Sequence, residues 1–134
     1  MENRFFIDSN ILLYTVGADA AKAERANQLM DERPIISVQV LNEFVNVGRK
    51  KLKLEWAGIE AGVAHALAYC EVVPVILEGH SRAMQFAKLD KIGIYDANII
   101  AAAELAKCDI LYTEDLSHGQ RIGRVLIQNP FLAA

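Results

Sequence analysis

Five acidic residues stand where the chain passes from one element to the next or along the margin of a helix: Asp8, Glu43, Asp96, Glu114 and Asp115. Asp8 closes the short apolar run Phe5-Phe6-Ile7, and Glu114-Asp115 follows Asp109-Ile110-Leu111-Tyr112-Thr113. Both runs read as strands of a parallel sheet, and in such sheets sites lie beyond the carboxyl ends of the strands. If the two strands are neighbours, their acids share one edge. Asp96 opens a helix and, at about 100° per residue, falls on the side of Ile99, Ile100 and Ala103, the side that should face the sheet. Glu43 sits at the edge of an apolar stripe containing Val40 and Val47, flanked by Asn42 and Asn46. Carboxylates packed together repel one another and raise their own pKa values unless a cation neutralises them. Magnesium suits that task, because it prefers oxygen ligands and retains several waters. One or two such ions can activate water and stabilise charge developing on a transferred phosphoryl group.

Nothing in the chain competes for a softer metal. His65, His80 and His118 are scattered, with no HxxxH spacing and no Cys/His pair, so all-oxygen ligation is favoured. Each acid also has a plain structural reading. Asp8 and Asp96 suit helix N-caps, Glu43 suits a solvated helix face, and Glu114-Asp115 suits an acidic turn. No one of these positions is specific by itself.

Strands and helices alternate along the whole chain, which is the pattern of an α/β protein with a parallel sheet. After the first strand, Asp8-Ser9-Asn10 leads into a brief helical turn at residues 11–14. A helix follows over 20–31, where Ala, Lys, Glu and Arg abound. Ile35-Ile36-Ser37 is a second strand, and helical periodicity runs from Val38 to Lys51. Helices are also expected over 55–69, 78–89 and 95–107. Further strands are expected at Val72-Val73-Pro74-Val75, at 109–113 and, more weakly, at Arg124-Val125-Leu126-Ile127. No repeat, low-complexity tract or Pro/Gly/Ser linker divides the chain, so a single domain over 1–134 is expected.

At 134 residues, 53% hydrophobic and 23% charged, the chain has the make-up of a packed globule. No apolar run approaches the roughly 20 residues that span a bilayer. Met1-Glu2-Asn3-Arg4 enters the first apolar run without a small-residue cleavage site, which points to the cytoplasm. Cys70 and Cys108 lie far apart and read as buried free thiols. A formal net charge of −3 neither advertises nor excludes a nucleic-acid partner, since a local patch escapes the sum.

The acid-bearing segments carry a family resemblance. They are Phe6-Ile7-Asp8-Ser9-Asn10-Ile11-Leu12, Val40-Leu41-Asn42-Glu43-Phe44, Tyr95-Asp96-Ala97-Asn98-Ile99-Ile100-Ala101-Ala102-Ala103 and Ile110-Leu111-Tyr112-Thr113-Glu114-Asp115-Leu116. In order and spacing the chain resembles the PIN-domain family, most closely the VapC-type toxins of toxin–antitoxin pairs. The resemblance covers essentially the whole chain. It implies a three-layer α/β/α sandwich with a central parallel sheet of about five strands. It also implies a Mg²⁺- or Mn²⁺-dependent endoribonuclease that hydrolyses RNA with a metal-activated water, often at one site in tRNA or ribosomal RNA. Metal ligands are implied at Asp8, Asp96 and Asp115, with Glu43 as a further catalytic acid that ligates directly or through water. Thr113 matches a hydroxyl residue supporting the site, and Asn10 a polar partner beside the first acid. Asp115 completes the Thr-x-Asp pattern, while Glu114 is an alternative holder of the fourth position. A homodimer and a cognate antitoxin whose C-terminal segment occupies the cleft are implied partners.

The segment that runs on to His118 and Gln120 looks like the version in one VapC branch, which makes those two candidates for RNA contact beside a plain polar-loop reading. Arg49, Lys50 and Lys51, with Lys53, form the densest basic cluster, suited to phosphates or to pairing with a helix end. Arg121 and Arg124 form a second basic candidate, and Trp56 and Tyr14 could stack on a base, although packing is the favoured reading. Other functions fit less well. An aspartyl phosphatase wants a second Asp two residues after the first, where this chain has Asn10. A dinucleotide-binding domain needs a glycine-rich first turn, which is absent. A PIN scaffold that only binds RNA or protein, and a free-standing nuclease outside any toxin pair, remain as alternatives.

Overall fold

The computed structural model describes residues 4–132. The N-terminal reading at Met1–Asn3 and the last two positions of the 1–134 span lie outside the described residues. The chain runs β1 (Phe5–Ile7), α1 (Ser9–Thr15), α2 (Ala20–Asp31), β2 (Ile35–Ser37), α3 (Val38–Lys50) and α4 (Trp56–Tyr69). It continues with β3 (Glu71–Val73), α5 (Leu77–Asp90), α6 (Ile94–Leu105), β4 (Ile110–Tyr112), β5 (Arg121–Ile122) and β6 (Val125–Gln128). Among the described residues no helix is long and apolar enough to cross a membrane.

The sheet order is β3-β2-β1-β4-β6-β5. β1 lies between β2 and β4, parallel to both, with Ile7 opposite Tyr112. The two strands that deliver Asp8 and the 113–115 segment are therefore neighbours ending on one edge. β4 also pairs parallel with β6. The expected parallel sheet of about five strands is formed by β3, β2, β1, β4 and β6, and a short sixth strand, β5, pairs antiparallel with β6 at the far edge. A two-residue strand has no periodicity to read. Arg124, expected to open the last strand, instead lies with Gly123 in the two-residue turn between them. Gly123 has φ +59°, which glycine adopts without strain and which suits the first position of a tight hairpin turn. A side chain there would also collide with the Glu104 carboxylate and press on the Phe86 ring.

The helices complete a three-layer α/β/α sandwich: α1 packs on α2 and α3, α3 on α4, and α5 on α6, which lies along β2, β4 and β6. Strand residues Phe6, Ile7, Ile36, Leu111 and Ile127 are fully buried, and helix residues Phe44, Ile99, Ile100 and Ala103 pack against them. Burial of these apolar side chains drives the layers together. The face of α6 predicted to point inward does so. β2 passes into α3 without a loop, and the buried Ser37 caps α3 by accepting the Val40 N–H at 3.4 Å. Close approach of α4 to α3 depends on Gly62, where any side chain would strike the Phe44 ring.

Candidate functional site

Asp8 caps α1, one of its two sequence readings, and also reaches across to the segment that follows β4. Its Oδ1 accepts the Ser9 N–H at 2.7 Å at the start of α1, and its Oδ2 accepts the Thr113 hydroxyl at 2.9 Å. Only 3% of Asp8 is exposed, and Thr113 is wholly buried. Thr113 Oγ1 in turn accepts the Asn10 amide at 3.1 Å and the Asp115 N–H at 3.2 Å. Asn10 spans the gap between the two chain segments. Its Nδ2 also donates to Asp115 Oδ2 at 3.1 Å, and its Oδ1 accepts the Glu114 N–H at 3.3 Å. The ends of β1 and β4 are thus joined by a network of side chains more than 100 residues apart in sequence.

Glu43 approaches from α3. Its Oε2 accepts the Ser9 hydroxyl at 3.4 Å, while its buried Oε1 has no hydrogen-bond partner. Asp96 lies in the first turn of α6, half-buried; Gly93 holds the cap position, so the N-cap reading of Asp96 does not apply. Burial raises the Asp8 pKa to about 6, opposed by the Ser9 and Thr113 hydrogen bonds and reinforced by the charges of Asp115 and Asp96. Burial likewise lifts Glu43 to about 7, with Asp8 and Asp96 adding to the shift. Asp96 is raised by burial and then by Asp115. Four carboxylates from three elements and a loop are therefore close enough to feel one another.

That arrangement is what a cation would relieve. An orphaned buried carboxylate oxygen on Glu43 and mutually repelling acids on both walls fit a hard divalent ion with oxygen ligands. Among the described residues no three acidic, His or Cys side chains already stand in ligating positions. An ion that keeps several of its waters suits such a site better than one demanding a full protein cage.

Glu114 goes elsewhere. Its carboxylate pairs with Lys22 of α2 at 2.5 Å and accepts the Tyr14 hydroxyl of α1. Burial works against its ionisation, yet Lys22 and Tyr14 outweigh it and hold its pKa below the usual range. The Lys22 ammonium also lies over the rings of Tyr14 and Phe131, and those two rings meet edge to face. Of the two carboxylates in the Glu114-Asp115 pair, that of Asp115 is the one bound to Asn10. Glu114 acts as a clasp fastening the loop that carries Asp115 to α1 and α2. Glu114→Gln should therefore change Mn²⁺ affinity by less than about fivefold, the scale of a partly exposed ion pair. A loss equal to that of Asp115→Asn in the same titration would make Glu114 the ligand.

The other candidates are dispersed. The His118 Nδ1 accepts the Asn129 N–H at 2.9 Å, and the Gln120 carbonyl accepts the Ile127 N–H at 2.8 Å, so both tie their loop to β6. Arg49 donates to the Leu54 carbonyl at 2.8 Å and lies over the Trp56 ring, which is 54% exposed and not packed away as expected. Lys50 and Lys51 are exposed at the end of α3. Arg124 pairs with Asp109 at 3.1 Å, and Arg121 donates to the Arg124 carbonyl. Cys108 is buried and Cys70 half-buried; both are free. Two contributors escaped the sequence reading. Ser9 links Asp8 to Glu43, and Tyr95, beside Asp96, stands 72% exposed at the cleft.

The PIN-domain family model matches residues 5–121. The chain belongs to the PIN-domain family. Its fold matches that of a toxin–antitoxin complex from Klebsiella pneumoniae, with a TM-score of 0.70 and 23% identity over 96% of this chain and 98% of that one. The DNA-bound VapBC of Salmonella typhimurium is equally similar, with a TM-score of 0.70 and 24% identity over 96% of this chain and 99% of that one. VapC20 of Mycobacterium tuberculosis, a toxin that cleaves the sarcin-ricin loop, matches at a TM-score of 0.68 and 19% identity, over 83% of this chain and 89% of its own. No curated protein matches the chain significantly.

Proposed function

We infer that this protein is a metal-dependent endoribonuclease, the toxin of a type II toxin–antitoxin pair, using Asp8, Glu43, Asp96 and Asp115 as its acids. The observation that carries the reading is the convergence of these four carboxylates, with a buried Glu43 oxygen left unpartnered. Membership of the PIN-domain family and the likeness to VapC structures support the choice of RNA as substrate and of an antitoxin as partner. Asp8, Asp96 and Asp115 would hold Mg²⁺ or Mn²⁺, with Glu43 beside them. When bound, such an ion supplies a nucleophilic water at neutral pH and offsets the charge gathering on the phosphoryl oxygens.

The chain's own residues set the geometry. Thr113 donates to Oδ2 of Asp8, and Asn10 donates to Oδ2 of Asp115, so each carboxylate is held by a neighbouring side chain. Glu43, with one buried oxygen that no hydrogen bond occupies, is suited to orient the attacking water and accept its proton. No covalent enzyme intermediate is required. The expected partners also include a second copy of the chain.

The test is cleavage of total tRNA and ribosomal RNA by antitoxin-free protein, with Mg²⁺ or Mn²⁺ against EDTA. Discrete metal-dependent fragments, absent with Asp8→Asn, are the expected result. Folded protein that binds metal yet cuts neither RNA would favour a binding-only PIN domain.

A further inference from the structure

At Glu43 opens a groove of about 390 Å³ lined by Gln39, Asn42, Glu43 and Asn46 of α3 and by Tyr95 of α6. The α3 residues recur at spacings of three and four, so they form one stripe along the helix. Three are amides, and no Lys or Arg lines the groove. Asn is a poor helix former, and Asn42 and Asn46 are exposed in the interior of α3, so local helix stability does not account for them. On the opposite wall Tyr95 presents its ring at 72% exposure and, among the described residues, stacks on no other aromatic side chain. A phosphate path would call for cations. An aromatic plate facing a row of amides suits a flat, uncharged ring with donors and acceptors along its edge. Unpaired RNA bases are recognised in that manner, by stacking on aromatics and hydrogen bonding along their edges.

We propose that this groove is a nucleobase subsite, seating one unpaired base of the RNA beside the bond that is cut, stacked on Tyr95 and read by Asn42 and Asn46. Glu43 borders both the groove and the acid cluster, so a base held here lies next to the reacting phosphate. The proposal rests on the nuclease reading for its choice of RNA, and it adds a source of sequence preference that the acids do not provide.

The experiment measures binding of labelled homopolymeric RNA hexamers (A, C, G and U) by anisotropy, in Mg²⁺ with the Asp8→Asn protein to prevent cutting. One or two of the four should bind about tenfold more tightly than the rest. Adding Tyr95→Ala should weaken that binding about tenfold or more, the range for loss of one base–aromatic stack, while Tyr95→Phe keeps it. Asn42→Ala with Asn46→Ala should level the differences between bases. These side chains are exposed, so thermal melts should confirm intact folding. Equal binding of all four hexamers, or variants that bind as their parent does, would overturn the subsite. Cleavage without base preference would overturn this inference and leave the nuclease reading standing. Tyr95-dependent base binding by a wild-type protein that never cuts RNA would do the reverse.

Discussion

Asp96→Asn is expected to lower metal-dependent RNA cleavage about a thousandfold, the scale of losing one preorganised electrostatic group, while the protein remains folded. Two observations separate its chemical role from a structural one. The cap position of α6 belongs to Gly93, and Asp96 makes no capping hydrogen bond. Its carboxyl is half-buried and held above its ordinary pKa by burial and by the charge of Asp115, so its environment penalises the ionised form. Asparagine preserves shape and removes that penalty. Cleavage rate and thermal midpoint should therefore part company in this variant. Loss of folding would return Asp96 to a structural role, and unchanged cleavage would remove it from the site.

Stability of the metal-free protein should fall as pH rises through the range in which Asp8 titrates. The Asp8 pKa is about 6 in the folded state against an ordinary value of 3.8, so the folded state binds more protons between those limits. The protonated group's advantage is complete below about pH 4 and lost as pH rises through about 6. For this nearly fully buried side chain, two pKa units correspond to about 3 kcal/mol at neutral pH. Glu43, raised to about 7, shifts stability in the same direction. Asp8→Asn should accordingly be more stable than wild type at pH 7.5 in EDTA, by about 2 kcal/mol, with the difference vanishing near pH 4. Mg²⁺ or Mn²⁺ should stabilise wild type more at pH 7.5 than at pH 5, because ligation requires the ionised acids. Urea melts of both proteins at pH 4, 5 and 7.5, with and without metal, measure each quantity. A wild type that gains stability between pH 4 and 7 relative to Asp8→Asn would contradict the burial of a destabilising charge.

Much of this architecture is legible in the sequence because its signals are local. The apolar runs at Phe5–Ile7 and Ile110–Tyr112, each followed by an acid, announce buried parallel strands with a site beyond their ends. The 20–31 helix falls at its expected bounds, and α6 buries the predicted Ile99, Ile100 and Ala103. What escaped depends on partners distant in sequence or on elements too short to show a period. β5 is two residues long, and Arg124, expected to open the last strand, falls with Gly123 in the turn that precedes it. The division of labour between Glu114 and Asp115 is decided by Lys22 and Asn10, 92 and 105 residues away along the chain. Nothing adjacent to the pair encodes it. The bridge from Ser9 to Glu43 is hidden for the same reason. Tyr95 reads as an ordinary helix residue until the fold sets it across from the amides of α3.

Four carboxylates separated in sequence are proposed to build one divalent-cation site. Mn²⁺ binding followed by electron paramagnetic resonance, for wild type and for Asp8→Asn, Glu43→Gln, Asp96→Asn and Asp115→Asn, tests it most directly. The expected result is binding by the wild type that every one of the four substitutions weakens, with Glu114→Gln close to wild type. Wild-type affinity in the Asp8→Asn or Asp96→Asn protein would contradict it.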